Sequence, residues 1–225
     1  MTTRDAGAAD ALEDWCRVRR EVDWSRAGGA EPEASTGSTD GFVTWCEGPV
    51  RRRSPVRADR LLSAYAAARG DAAHRAPLTF ARLAHWQRLV LGTAEAPFRS
   101  GDAYAKGGRE RYRLTSHTRA DFARCLRDSE ERGVPLAARA ARTYLDVAFF
   151  HPFTDGNARA ALLALCFVLA REGVVLHEVG PLQTTRYADD APGAADLAVL
   201  VALLMAGPKR RRAAGPGRST CPGWR

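Results

Sequence analysis

The sequence predicts a mainly α-helical fold that carries one small β-hairpin. Three observations predict it. Apolar residues recur at helical spacing, as in Leu83, Trp86, Leu89 and Val90. Helix punctuation is frequent, with Ser54 before Pro55 as a start and Gly92 as a stop. One stretch, "APFRSGDAYAKGGRERYRL", breaks the helical period with Gly101, Gly107 and Gly108, and reads as a hairpin or flap-like loop rather than a packed strand.

The first helix is predicted from about Ala9 to Trp24, with Leu12, Trp15, Cys16, Val18 and Val22 as packing residues. "RAGGAEPEASTGSTDG" then ends all periodicity and reads as a linker. The helix opened by Ser54 and Pro55 is expected to stop at Gly70, and the next to run from about Leu78 to Leu91. After the hairpin, "TRAD" at Thr118 has the form of an acidic capping box with Asp121, starting a helix that continues to Gly133. A helix from Pro135 to about Phe150 follows, then one from about Asn157 to Glu172, and a last from about Ala194 to Ala206. This divides the chain into residues 1–53 (helix and flexible linker), 54–206 (a helical domain with its core at about 78–206) and a basic tail, 207–225. No internal repeat is visible.

At 225 residues and 45 % hydrophobic, the chain has enough apolar material for a packed core. Its net charge of +8 is unevenly placed, because the tail from Pro208 to Arg225 carries six basic residues and no acid. That tail reads as solvated, with weak nucleic-acid contact as the lesser option. A second basic cluster is Arg51, Arg52 and Arg53. The five cysteines are odd in number, scattered and never in a C-x-x-C pair, which fits a reducing compartment and no structural zinc. "MTTRDAGAAD" lacks the apolar region of a signal peptide, and no apolar run approaches the roughly 18 residues of a membrane span. These features predict a cytoplasmic protein without a membrane contact. His74, His85, His117 and His177 lack ligand spacing and carry little signal.

The richest stretch is "FFHPFTDGNARAALLALCFVLAREG", where a polar turn stands directly before an apolar helix. It is either a helix start in need of a cap or a site for an anion. A helix start presents unpaired N–H groups and partial positive charge. Gly156 permits close backbone approach, and Arg159 adds a cationic fork suited to phosphate oxygens. Asp155 is a hard oxygen ligand of the kind Mg²⁺ takes together with substrate phosphates. His151 titrates near neutrality and can accept a hydroxyl proton. Singly, each has an ordinary reading: Asn157 as N-cap, Asp155 as turn residue, His151 bonded to a carbonyl. Their combination points to phosphate chemistry.

"HPFTDGNARAAL" resembles the signature of the Fic family, His-Pro-Phe-x-Asp/Glu-Gly-Asn-Gly/Lys-Arg-x-x-Arg, from His151 to Asn157 and again at Arg159. "PFRSGDAYAKGG" is similar to the family's flap, and supporting context covers roughly Leu78 to Ala206. The resemblance implies a Fic/Fido-type helical bundle with a hairpin flap, and an enzyme that moves AMP from ATP onto a Ser, Thr or Tyr hydroxyl of a target protein. It makes His151 the general base, Asp155 the holder of Mg²⁺, and Asn157 the group orienting the α-phosphate. The backbone from Gly156 through Ala158 to Arg159 becomes the anion hole, with Arg159 on the β-phosphate. Phe153 becomes a buried anchor and Tyr187 a wall of the adenine pocket, although packing alone also explains a tyrosine there. The flap from Asp102 through Ala103, Tyr104 and Ala105 to Lys106 is expected to clamp the target by strand addition.

Two positions depart from the signature. Ala158 replaces the usual Gly, or the Lys of Doc-type phosphotransferases, and Leu162 replaces the second Arg. The loss at Leu162 leaves open another phosphate donor, a phosphotransferase, or a catalytically silent Fic-fold binding module. Many relatives restrain themselves with a Ser/Thr-x-x-x-Glu-Gly/Asn helix. In "VTWCEG" the spacing from Thr44 to Glu47 is short by one, so Glu47 reads as a surface acid and room is left for a separate inhibitory partner.

Overall fold

The computed structural model describes residues 10–28 and 39–206. The expected linker segment at 29–38 and the basic tail at 207–225 lie outside the described residues. Helix α1 (Ala11–Glu21) starts at Asp10, whose carboxylate accepts from Leu12 N. A 3₁₀ turn (Trp24–Ala27) follows. Helix α2 (Gly41–Trp45) passes through a π turn (Cys46–Val50) into α3 (Arg51–Arg53), a short helical piece the sequence did not disclose. Glu47 in that turn pairs with Arg51 on the surface.

Helix α4 (Pro55–Ala73) has Ser54 as N-cap and runs past Gly70. The expected stop there is corrected: Asp71, in the extra turn, accepts from Arg82 Nη1 and Trp86 Nε1, both at 2.8 Å. Tertiary bonds thus extend the helix through a residue that by propensity would end it. Helix α5 (Phe80–Leu91) starts at Thr79 and stops at Gly92, which is left-handed at φ +66°.

The hairpin consists of β1 (Ala103–Ala105) and β2 (Glu110–Tyr112), antiparallel, with Tyr104 opposite Arg111. Helix α6 (Thr118–Arg127) is followed by a 3₁₀ turn (Asp128–Glu130), short of the expected Gly133. The expected capping box does not form. Thr118 is itself helical, its hydroxyl accepts from Thr115 N at 2.9 Å, and Asp121 pairs with Arg124.

Helices α7 (Leu136–Phe150), α8 (Asn157–Arg171) and α9 (Ala191–Met205) complete the bundle. Helix α7 is central, packing against α8 and α9, with α6 and α1 alongside. Helix α8 is apolar nearly all round, as a helix enclosed by α7, α4 and α5 must be. Helix α1 joins the same core through Trp15 and a buried polar cluster. Trp15 Nε1 and Arg19 Nε donate to Asp146 Oδ1 at 3.0 and 2.7 Å, and Arg19 also reaches Asp128. Asp146 is fully buried, so removing Arg19 would leave a desolvated charge, a loss of about 3–5 kcal/mol. Among the described residues, no helix is long and apolar enough to cross a membrane.

Candidate active site

The loop between α7 and α8 carries the polar motif. Helix α7 ends at His151, itself left-handed at φ +48°. A non-glycine residue there carries about 1–2 kcal/mol of strain, although histidine tolerates it better than most. The conformation turns the ring back, so that Nδ1 lies 2.8 Å from Ala148 O. A carbonyl only accepts, so Nδ1 bears the proton and the Nε2 lone pair is left open. One face of the ring stacks on Tyr112 at 4.7 Å, nearly parallel. Burial lowers the His151 pKa, and the Arg99 and Lys106 charges add to this, against the opposing bond to Ala148 and the Glu110 charge. At neutral pH the imidazole is therefore neutral, with an acceptor facing the cleft.

The next residues fix the loop. Phe153 is buried and stacks on Phe80 at 5.5 Å. Asn157 is not an N-cap. Its Oδ1 accepts from Phe153 N at 2.9 Å and its Nδ2 donates to Phe153 O at 2.7 Å. Oδ1 and one Nδ2 hydrogen of this amide, which is 5 % exposed, are thus committed to the loop, and the second Nδ2 hydrogen is left over. Gly156 is left-handed at φ +77°, and a Cβ would collide with Gln87 Nε2, which donates to Asp155 O at 2.6 Å. Gln87, buried on α5, thus holds the turn from behind.

Asp155 is the exposed acid of the turn, with 74 % of its side chain accessible. It accepts from Gly156 N at 2.6 Å and pairs with Arg159 at 3.0 Å. Of the backbone N–H groups at the α8 start, Gly156 N is bonded to Asp155 and Arg159 N to Gly156 O. Those of Asn157 and Ala158 have no protein partner among the described residues. Two backbone N–H groups, rather than the four the resemblance suggests, are therefore without a protein partner at this helix start among the described residues. Leu162 is 2 % exposed, inside the core. Its side chain packs in the core and does not line the cleft beside His151.

Sequence reasoning missed Arg99. It is nearly buried and donates to Arg113 O at 3.0 Å and Phe150 O at 3.4 Å, while its own N–H donates to Pro152 O at 2.8 Å. One residue thereby joins the hairpin base to both neighbours of His151. Burial lowers its pKa. No periodicity or motif separates it from the chain's other arginines; only the tertiary arrangement does.

In the flap, Asp102 accepts from Arg111 Nη2 at 2.7 Å and Leu114 N at 2.7 Å, so it closes the hairpin base and is not open to a target. The bond from Leu114 and the pairing with Arg111 lower its pKa. Ala103 and Ala105 are half-buried, and Tyr104 points to solvent. Lys106, left-handed at φ +55°, pairs with Glu110 at 2.6 Å and lies 4.2 Å above the Tyr187 ring. Tyr187 is thus brought to the flap, with one face covered by a cation. Beside His151 opens a cleft of about 330 Å³, lined by Lys106, Tyr112, Tyr144, Ala158 and the loop from Gln183 to Arg186. Among the described residues, no three His, Cys, Asp or Glu side chains gather as a metal cage.

Residues 77–169 match the family model described as "Fic/DOC family". No curated protein matches the chain. Among solved structures, IbpAFic2 covalently tethered to Cdc42 superposes with a TM-score of 0.52 at 13 % identity, over 87 % of this chain and 68 % of that one. An IbpAFic2 variant in complex with adenylylated Cdc42 gives 0.50 at 13 % identity, over the same shares. A Fic domain containing signaling protein from Bacteroides thetaiotaomicron gives 0.46 at 14 % identity, over 84 % of this chain and 80 % of that one. The likeness to the first two is one of fold: a helical bundle with a small antiparallel hairpin. Residues 77–169 of this chain are a Fic/DOC-family domain.

Proposed function

We propose that the protein transfers AMP from ATP to a hydroxyl side chain of a target protein, with His151 as general base. The observation that carries the proposal is the His151 geometry: Nδ1 is tied to Ala148 O, and Nε2 is the open acceptor of a neutral ring beside the cleft. In this reading Nε2 takes the hydroxyl proton as the oxygen attacks the α-phosphorus. The bond from that phosphorus to its bridging oxygen breaks, and pyrophosphate leaves. The unpaired N–H groups of Asn157 and Ala158 receive charge on the α-phosphate.

Asp155 suits Mg²⁺ as a single exposed hard oxygen donor, in the manner of sites completed by substrate phosphates and water. Bound there, the ion would neutralise phosphate charge. Arg159, held by Asp155, is placed to share that task. Among the described residues no strand pairs with the outer edge of β1, which favours an extended target segment, and IbpAFic2 is described with a protein, Cdc42, at hand.

Incubation with α-labelled and with γ-labelled ATP tests the reading. Label is expected from the α position only, on a target or on the enzyme itself. His151→Ala is expected to lower the rate at least about 10²-fold in a folded protein. Label from the γ position alone would replace AMP transfer by phosphorylation. Label that survives His151→Ala would remove the histidine from catalysis.

A further inference from the structure

The wall of the cleft opposite the motif holds groups that the proposed chemistry does not use. Arg186 lines it and is half-buried. Its Nε is buried without a hydrogen-bond partner, and its one bond, Nη1 to Gly193 O, is long at 3.5 Å. No carboxylate pairs with it among the described residues, whereas the other lysine or arginine of the cleft, Lys106, is neutralised by Glu110. Beneath lies Tyr144, buried on α7, whose hydroxyl also has no partner among the described residues. A buried N–H donor without an acceptor is costly, and an anion in the cleft would satisfy it together with the guanidinium charge.

The size of the cleft limits what that anion is. About 330 Å³ lies at the lower end of the range for small-molecule sites, roughly 300–1,000 Å³. Ala158, whose backbone N–H is unpaired, lines the same cleft. A phosphate group between Ala158 N and the guanidinium would satisfy both. We propose that Arg186, with Tyr144 beneath it, is a phosphate-binding residue for the nucleotide, supplied by the loop after α8 rather than by the motif. This rests on the nucleotide reading of the site, and assigns the site a second, separate cation.

Calorimetric titration of the full chain with AMP and with adenosine tests it. The wild type is expected to prefer AMP. Arg186→Gln should weaken AMP binding about tenfold or more and leave adenosine unchanged, since only the phosphate meets the charge. Arg186→Lys should restore part of the loss. In the wild type, the Arg186 Nε–H NMR signal should shift with AMP and not with adenosine, a readout independent of whether a variant folds. Equal weakening of AMP and adenosine would show a packing role and overturn the assignment. So would unchanged AMP binding in Arg186→Gln, while leaving the nucleotide reading intact. A wild type that binds neither AMP nor ATP would overturn both.

Discussion

The loop from Phe153 to Arg159 and the wall from Gln183 to Arg186 flank the same cleft, yet they dispose of their polar groups in opposite ways. In the loop the side chains are tied to internal partners, through both ends of Asn157, both oxygens of Asp155 and the carbonyl held by Gln87, and it is the backbone N–H groups of Asn157 and Ala158 that stay open. In the wall, Arg186 Nε has none, and among the described residues the Tyr144 hydroxyl near it makes no hydrogen bond either. Internal partners fix shape, whereas unpaired groups wait for a ligand. The residues that make a motif conspicuous in a sequence are therefore not the ones most available to bind. Asn157 is part of the frame.

If that division holds, substitutions on the committed side should cost stability first. Leu162→Arg is the largest case. Placing an unpartnered charge at a fully enclosed position of α8 should lower unfolding free energy by about 3–5 kcal/mol, read from urea denaturation. An unchanged midpoint would mean that the arginine reaches solvent or an anion, and that this face of α8 belongs to the open side.

Asn157→Ala comes next. It strands the buried N–H and C=O of Phe153, each worth about 1–3 kcal/mol, so a loss of about 2–4 kcal/mol is expected from the same measurement. A loss confined to nucleotide affinity, with unfolding unaffected, would return Asn157 to the ligand.

The smallest effect concerns His151, on the boundary between the two sides. Its folded pKa lies below the ordinary value near 6.5, chiefly through burial. The unfolded chain therefore takes up the proton first as pH falls. The neutral ring's contribution to stability is full above about pH 6.5 and declines below it, until the folded ring also protonates. The difference in melting temperature between wild type and His151→Asn should accordingly change between neutral pH and pH 5. A constant difference would show that the histidine is not held neutral.

The helical bundle, the hairpin and the turn at 151–159 were legible because each rests on local chemistry: apolar spacing, closely placed glycines, a polar run before an apolar helix. What was not legible depends on partners distant in sequence. Gly70 reads as a stop until Asp71 is seen bonded to α5. "TRAD" reads as a cap until Thr118 is seen turned toward Thr115. The Gly41–Arg53 turns contain Pro49 and three short pieces, too brief for periodicity to register. Within the site, Gln87, Arg99 and Arg186 gain their roles only from what the fold places against them. Arg186 stands next to Tyr187, which the motif context had singled out, and nothing in the run "QTTRY" tells an unpaired guanidinium from a solvated one.

A single aspartate at the start of the described chain decides how the hairpin can grow. Asp10 Oδ1 caps α1 and also accepts from Arg113 N, while the Asp10 backbone bridges to Arg111 in parallel fashion. The outer side of β2 is thus already occupied by its own chain, and among the described residues only the β1 side offers unpaired main-chain groups. A sheet blocked along one margin is a terminator as well as an acceptor. A strand added to it would lie on the β1 side, and a second copy would find no open β2 edge from which to continue the sheet into a fibre.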